Sequence, residues 1–385
     1  MGFARRTDWP VDQNPLALKI AALKAAGEPL IDLTESNPTR CDFQYQNTEW
    51  LQPFLDPKNL AYEPLPRGLL SAREAVCAYY AEKGVRVEPE QVFLTAGTSE
   101  AYGFLFRLLA EPGESFLVPS PGYPLFNYLA DLNDAVLKKY ALSQTPRWHL
   151  DAEILDNASG PDCKALVLVN PNNPTGNFIS VQEKEVVNHF CASRNLALIS
   201  DEVFLDYSLG GQGVSLADNA EVLTFTLSGI SKILGFPQMK LSWLVVSGPK
   251  AIREQALQKL EVIADTFLSV NTPSQRALPE WMKSRTLAIR EISDRTARNQ
   301  EFLLRKFLQG VSCRALRSEG GWYAVLKLGE GADDEQTALD LLEKQKILAH
   351  PGYLYDFDAP HLVLSLLVPC LRFEEAIDRL SNELL

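Results

Sequence analysis

The stretch ALVLVNPNNPTG at residues 165–176 combines an uninterrupted apolar run with a polar loop rich in Pro and Asn. Two later stretches have the same plan, LALISDE at 196–202 and VLTFTLSGISK at 222–232. A helical pattern at 181–194 and then a Gly-rich loop separate the three runs, an arrangement typical of buried strands in a parallel sheet. The sequence therefore predicts an α/β fold with a mostly parallel sheet.

The sequence on either side adds further elements to this prediction. Upstream, a helical period over 69–83 precedes a β-favouring run at 91–95 and a second helix at 100–109. Downstream, 273–308 has a helical pattern that we expect Pro279 to break near its start. The first sixty residues, rich in Pro, Asn and Asp, are expected to form an irregular arm. After residue 320, strand-like and helical segments predict a small α+β domain (322–328, 334–346, 362–367 and 373–384).

The composition argues against several classes of protein. Of 385 residues, 46% are hydrophobic and 22% are charged, so long disordered regions and coiled coils lose support. Acidic residues outnumber basic ones by 49 to 37, and the net charge of −12 disfavours nucleic acid or an anionic membrane as the main partner. Any anionic ligand must therefore be held by a local site.

The cysteines and the N-terminal sequence favour a cytoplasmic protein. Six cysteines lie far apart, with no C-x-x-C pair and no His at zinc spacing, so we expect buried thiols, a reducing compartment and no metal site. Residues 1–6 lack the apolar core of a signal peptide. The longest apolar runs, such as 165–169 and 362–368, are far shorter than the roughly 18 residues that span a bilayer.

Polar groups follow each predicted strand at the point where it ends. Asn173 lies in the loop after the first run, Asp201 ends the second, and Lys232 follows the third. The strand at 91–95 leads into Gly97-Thr98-Ser99 at a helix start, where free N–H groups favour a phosphate. Open parallel sheets place their sites at the carboxyl ends of strands. An amine, a carboxylate, an amide and a phosphate loop are together the groups needed to hold pyridoxal phosphate.

The order and spacing of these motifs resemble those of the class I/II aminotransferases, members of the fold type I pyridoxal-phosphate superfamily. The resemblance runs from about Leu33 to the C-terminus and is carried by the Asn-Asn-Pro-Thr-Gly and Ser-Lys runs, ordered around Asp-Glu. It implies a large, mostly parallel α/β/α sheet domain and a smaller α+β domain built from the chain termini. It also implies amino-group transfer between an amino acid and a 2-oxo acid, in a homodimer.

The resemblance further implies where the domains begin and end. Residues 1–45 would form an N-terminal arm joining the small domain, and 46–272 the large cofactor-binding domain. An interdomain helix would occupy 273–310, and the C-terminal small domain 311–385.

Four residues carry the central roles that the resemblance implies. Lys232 matches the Schiff-base lysine, which also moves the proton between the substrate and the cofactor. Asp201 matches the aspartate that keeps the pyridine nitrogen protonated. Asn173 matches the asparagine that donates a hydrogen bond to the phenolic oxygen, and Tyr123 matches the aromatic side chain that stacks on the ring.

The remaining cofactor contacts concern the phosphate. Gly97, Thr98 and Ser99 match the phosphate loop, and Ser231 is a further donor. Lys240 stands where the family has an arginine and can supply a point charge without the bidentate fork. Tyr62 resembles the tyrosine that reaches the phosphate of the neighbouring subunit, although a tyrosine packed on the arm fits the sequence nearly as well.

Two further departures from the family pattern concern the chemistry and the substrate. Phe204 stands where the family commonly has a tyrosine that bonds the phenolic oxygen. Val363 stands where the family has an arginine for the substrate carboxylate. Arg40 is the candidate replacement, and a surface arginine paired with Asp42 is the alternative.

Three other functions are weighed against aminotransfer. A lyase or decarboxylase would use the same site, because the broken bond depends on which one stands perpendicular to the ring. An effector module of a transcription regulator would need a DNA-binding segment, and the stretch before Leu33 is too short for one. A dinucleotide site needs a G-x-G-x-x-G after the first strand, and the glycines at 210–213 lack that setting.

Overall fold

The computed structural model describes residues 2–10, 14–45, 47–145, 147–307 and 312–384. The strands, in chain order, are β1 (Ile31–Asp32), β2 (Val92–Thr95), β3 (Ser115–Ser120), β4 (Val136–Ala141), β5 (Cys163–Val169), β6 (Ala197–Asp201), β7 (Thr224–Gly229), β8 (Ser242–Ser247), β9 (Cys313–Leu316), β10 (Tyr323–Leu328), β11 (Ile347–Leu348), β12 (His350–Pro351) and β13 (His361–Ser365). The helices are α1 (Pro15–Ala25), α2 (Leu70–Ala81), α3 (Thr98–Leu109), α4 (Phe126–Asp131), α5 (Ala152–Ala158), α6 (Val181–Arg194), α7 (Ile230–Ile233), α8 (Lys250–Phe267), α9 (Thr272–Lys283), α10 (Arg285–Phe307), α11 (Asp334–Asp340) and α12 (Cys370–Leu384).

A seven-stranded sheet, in the order β2-β8-β7-β6-β5-β3-β4, forms the centre of the described chain. β8 runs antiparallel to both of its neighbours, and the pairs from β7 to β4 are parallel. Asp201 at the end of β6 lies opposite Val169 of β5 and Leu227 of β7. The loops that follow these three strands therefore leave the sheet side by side.

Both faces of this sheet are covered by helices, which explains why its central strands are buried along almost their whole length. Residues at alternate positions of β5 point to opposite sides. Ala165, Val167 and Val169 pack with α3 and α8, whereas Leu166 and Leu168 pack with α5 and α6. The α/β fold with a mostly parallel sheet, predicted from the three apolar runs, is confirmed, as is the α/β/α arrangement that the family resemblance implies.

The smaller layer is built from both ends of the chain. Its antiparallel sheet has the order β12-β13-β10-β9, and β1 pairs in parallel with β11 beside it. Leu16 of α1 and Leu33 belong to the same buried cluster as Leu304 of α10 and Phe373 of α12. The N-terminal region thus completes an apolar core that is otherwise formed by C-terminal residues, as the fold prediction states.

The structure corrects several details of the predicted elements. The N-terminal region is not irregular throughout, because Asn14 caps the helix α1 by accepting a hydrogen bond from the N–H of Ala17 at 2.8 Å. Pro279 lies inside α9, and the helical region breaks at Ser284 instead. The segment predicted as one helix at 334–346 is α11 followed by a π-helical turn, Leu341–Gln345. Further elements, among them β3, β4, β8 and α8, were not predicted.

The structure does not test all of the predicted domain boundaries. Residues 46, 310 and 311, which adjoin two of the three predicted boundaries, lie outside the described residues, and the division into four segments stays a prediction. In the described ranges, no helix has both the length and the apolar character that crossing a bilayer requires.

Candidate active site

A cavity of about 200 Å³ lies at the carboxyl ends of β5, β6 and β7. Loops after these strands form much of its wall, the start of α3 contributes a hydroxyl, and the smaller layer and the N-terminal region contribute one residue each. The residues that line it are Ser36, Thr98, Tyr123, Val169, Asn173, Asp201, Val203, Phe204, Gly229, Ser231, Lys232, Ser242 and Tyr323. Six of the sequence-predicted site residues, Thr98, Tyr123, Asn173, Asp201, Ser231 and Lys232, therefore meet here.

Lys232 lies in the short helix α7 that directly follows β7. The hydroxyl of Tyr207 donates hydrogen bonds to the carbonyl oxygens of Lys232 and Ile233, at 2.7 and 3.2 Å, and so fixes the backbone of the lysine. The Nζ atom lies 4.9 Å from the ring centroid of Trp322 and 5.3 Å from that of Phe204. Burial lowers the pKa of Lys232 to about 8, with the carboxylate of Asp201 acting in the opposite direction.

Asp201 is buried at the end of β6, with 7% of its surface exposed. Its Oδ1 accepts a hydrogen bond from the N–H of Val203, and its Oδ2 accepts one from the hydroxyl of Tyr102, both at 3.2 Å. Burial raises the pKa of Asp201 to about 6, while these two hydrogen bonds and the charge of Lys232 limit the rise. The side chain is therefore a carboxylate at neutral pH, facing an amine across the same cavity.

The loop after β5 is held tightly on both sides. The side-chain amide of Asn172 donates to the carbonyl of Pro121 at 3.0 Å, and the N–H groups of Glu319 and Gly320 donate to the carbonyl of Gly176 at 3.1 and 2.8 Å. Asn173 is buried against the cavity, and its Oδ1 has no hydrogen-bond partner among the described residues. A rigid loop thus presents an amide with unused hydrogen-bonding capacity.

The start of α3 supplies the second polar wall. Gly97 precedes the helix in an extended conformation, and Thr98, its first residue, lines the cavity. The side chain of Glu100 accepts a hydrogen bond from the N–H of Ala96 at 2.7 Å, which shapes the turn into the helix. Helix starts present free N–H groups and a partial positive charge, so this wall suits an anion.

Five of the sequence-predicted residues do not line the cavity. Gly97 and Ser99 flank Thr98 without reaching the wall, and Lys240 is exposed at a positive φ of 51°. Tyr62 is 64% exposed and lies outside the cavity of its own chain. The side chain of Arg40 is 74% exposed and pairs with Glu35 at 3.9 Å, rather than with Asp42.

The position that lacks the family's arginine lies inside the antiparallel sheet of the smaller layer. Val363 is buried in the middle of β13, opposite Val325 of β10 and His350 of β12. Among the described residues that line the cavity, Lys232 carries the one cationic side chain.

Several residues of the site were missed by sequence reasoning. Ser242 lines the cavity, and Tyr207 and Tyr102 hold Lys232 and Asp201 from outside it. One signal was available: Tyr102 lies four residues after Thr98, and residues at this spacing share a helix face.

Comparisons with known proteins bear on this arrangement. Residues 28–372 match the family model described as aminotransferase class I and II. An alanine aminotransferase of Mycobacterium tuberculosis is 29% identical over 394 aligned positions, covering 96% of this chain and 89% of that protein. The glutamate-pyruvate aminotransferase AlaA of Escherichia coli is 26% identical, covering 90% and 88%.

Solved structures share the fold along the whole chain. An alanine aminotransferase from Pyrococcus furiosus has a TM-score of 0.91 at 22% identity, covering 100% of this chain and 99% of that one. An aspartate aminotransferase from Thermotoga maritima has a TM-score of 0.86 at 24% identity, covering 99% and 100%.

Proposed function

The chain belongs to the class I and II aminotransferases, and on this basis we propose that it carries pyridoxal phosphate in the cavity around Lys232. It is an enzyme that transfers amino groups. The observation that carries the cofactor proposal is that an amine with a lowered pKa and a buried carboxylate share one small cavity. The residues around them decide whether this cofactor fits.

The donor set of the cavity matches the groups of pyridoxal phosphate. Lys232 would hold the aldehyde carbon covalently, and Asp201 would face the pyridine nitrogen. The side-chain NH2 of Asn173 would donate a hydrogen bond to the phenolic oxygen, and the start of α3 at Thr98 would take the phosphate. The ring of Tyr123 stands at the wall for stacking, fixed by an edge contact with Phe126 at 5.5 Å between ring centroids. When bound, the cofactor supplies an electron sink for the bonds at the substrate α-carbon.

The protein's own contribution is to hold and move protons. Lys232, with a pKa of about 8, is partly a neutral amine at pH 7 and can take up a proton at the α-carbon and return it. Asp201, with a pKa of about 6, is ionised at that pH and holds a proton on the ring nitrogen. Phe204 offers no hydroxyl to the phenolic oxygen. Asn173 therefore acts there without the tyrosine that is the usual second donor in the family.

Four further residues complete the proposed phosphate site. Ser231 lines the cavity next to the lysine, and Gly97 and Ser99 flank Thr98 at the helix start. Lys240 is proposed to add a positive charge from the exposed turn before β8.

We further propose that the substrates are a small amino acid, such as alanine, and a 2-oxo acid. The names of the relatives support this, as do the apolar side chains of Val169, Val203 and Phe204 in the cavity wall.

Arg40 is the proposed contact for the substrate carboxylate. Ser36, four residues before Arg40, lines the cavity, and the ion pair between Arg40 and Glu35 is long, at 3.9 Å. Arg40→Ala should raise KM for alanine about tenfold with little change in kcat, and an unchanged KM would remove Arg40 from the site.

We also propose a homodimer in which Tyr62 reaches the phosphate site of the partner subunit. Large apolar side chains are exposed along the segment that contains Tyr62, which is typical of a surface covered by another chain (Leu51, Leu55, Leu60, Leu65 and Leu70).

The cytoplasm is the proposed location, supported by six free cysteines, of which four are buried and two partly buried.

The cofactor proposal is tested by borohydride reduction of the purified protein, followed by peptide mapping. A pyridoxyl label on Lys232 supports the proposal, and a label on other lysines alone would contradict it. Lys232→Arg, which keeps a positive charge but cannot form the covalent bond, is the control.

A panel of amino acids then distinguishes aminotransfer from elimination and decarboxylation, since aminotransfer converts the bound cofactor to its amine form. Release of ammonia or carbon dioxide would instead favour the lyase or decarboxylase.

A further inference from the structure

Tyr102 occupies a buried position on α3 with its hydroxyl directed at Asp201. The side chain is 1% exposed, and its hydroxyl donates to Oδ2 of Asp201 at 3.2 Å. Burial and the negative charge of Asp201 raise the pKa of Tyr102 well above its usual range, so the phenol keeps its proton and remains a donor. Among the described residues, the other hydrogen bond to this carboxylate comes from the backbone N–H of Val203.

Packing fixes the tyrosine ring in this orientation. Phe126 makes an edge contact with the ring at 5.3 Å between centroids, and Phe106 lies at 6.0 Å. Phe126 also contacts Tyr123, the proposed stacking residue, from the same core cluster. The orientation of Asp201 is therefore tied to the aromatic wall of the cavity.

The position of Tyr102 on its helix links two ends of the site. Thr98 starts α3 at the cavity wall, and Tyr102 follows one helical turn later on the same face. A single rigid helix thus contacts the proposed phosphate site with its first turn and the carboxylate of Asp201 with its second.

We propose that Tyr102 is a positioning residue, which orients Asp201 toward the cofactor ring nitrogen and keeps it ionised by donating a hydrogen bond. This inference rests on the proposed function. A hydrogen bond to the charged form of an acid favours that form, so its loss disfavours the carboxylate that the ring nitrogen requires. The charged or titratable groups that face this pair are Lys232 after β7 and Tyr123 ahead of α4, with Tyr140 of β4 beyond the phenol.

The test is the affinity for pyridoxal phosphate of the wild type and of Tyr102→Phe, measured by absorbance between pH 5 and 9. At pH 7 we expect Tyr102→Phe to raise Kd about tenfold, and the acidic limb of the binding curve to move to higher pH. The matched control is Tyr79→Phe, because Tyr79 is equally buried and donates to a different aspartate, Asp206, at 2.7 Å. This control should leave both Kd and the limb unchanged.

A second comparison separates positioning from a general loss of structure. In an Asp201→Ala background, Tyr102→Phe should change Kd less than twofold, because the acceptor of the Tyr102 hydrogen bond is already removed. A wild-type-like Kd and acidic limb in Tyr102→Phe would overturn the inference, as would an equal effect in both backgrounds. Failure of the wild type itself to bind the cofactor would instead overturn the proposed function.

Discussion

The charge of Asp201 is predicted to hold the pKa of Lys232 above the value that burial alone would give. Burial lowers this pKa from 10.5 to about 8, and the nearby carboxylate opposes the shift. At pH 7 the lowered value makes the fraction of neutral amine about 300-fold larger than for a free lysine, or about one tenth of the total. Asp201→Asn removes the opposing charge, so the pKa should fall by about one unit, and the neutral fraction at pH 7 should rise about fivefold.

The assay is the pH dependence of acetylation at Lys232 in cofactor-free protein, read from the Lys232 peptide by mass spectrometry. The neutral amine is the reactive form, so the midpoint of the rate profile reports the pKa. The control is Glu202→Gln, which alters a neighbouring buried carboxyl that accepts its hydrogen bonds from Ser200, Ser215 and Leu216 instead. Its midpoint should stay near 8. An unchanged or higher midpoint in Asp201→Asn would refute the electrostatic coupling of the two groups.

Two further predictions concern the loop after β5 and the dimer. Gly176→Ala should cost about 3 kcal/mol in urea unfolding, since φ is +75° and the new Cβ would come within 2.6 Å of the carbonyl oxygen of Gly320. Gly84→Ala, at φ +74° with nothing within 4 Å, should cost about 1 kcal/mol, and equal losses would contradict the proposed crowding. For the dimer, inactive Lys232→Ala and Tyr62→Ala proteins, unfolded and refolded together, should regain about a quarter of wild-type activity, because half the dimers then contain one intact site. No recovery would mean that Tyr62 serves its own subunit, and a fully active Tyr62→Ala protein would mean that it serves neither.

The central part of the fold was predictable because burial leaves a local signature there. β5, β6 and β7 are covered on both faces, so nearly every position is buried, most are apolar, and polar residues cluster where each strand ends. β4 gives no such signal, because it lies at the sheet edge and exposes or half-exposes Val136 to Lys139. In α1, the described residues include one fully buried side chain, Leu16, and the Pro and Asn nearby obscured its helical pattern.

The residues of the site likewise fall into two groups, those that local sequence patterns predict and those that only the packing brings together. Lys232, Asp201 and Asn173 follow strand ends, where the chain itself brings them to one edge of the sheet, and the structure places all three around one cavity. Tyr102 and Asp201 are 99 positions apart in the sequence, and the residues around Tyr102 form a pattern typical of any buried helix. The spacing from Thr98 indicates the helix face on which Tyr102 lies, but its contact with Asp201 depends on how α3 packs on the sheet.

The paired hydrogen bonds at Gly176 have a mechanical consequence for the two layers of the molecule. The carbonyl of this glycine is bonded to the chain just ahead of β10, while Asn173 lies three residues away in the cavity wall. If the smaller layer moved relative to the sheet, it would either break these two hydrogen bonds or carry the loop that holds Asn173 along with it. The position of the Asn173 amide is therefore coupled to that of the smaller layer.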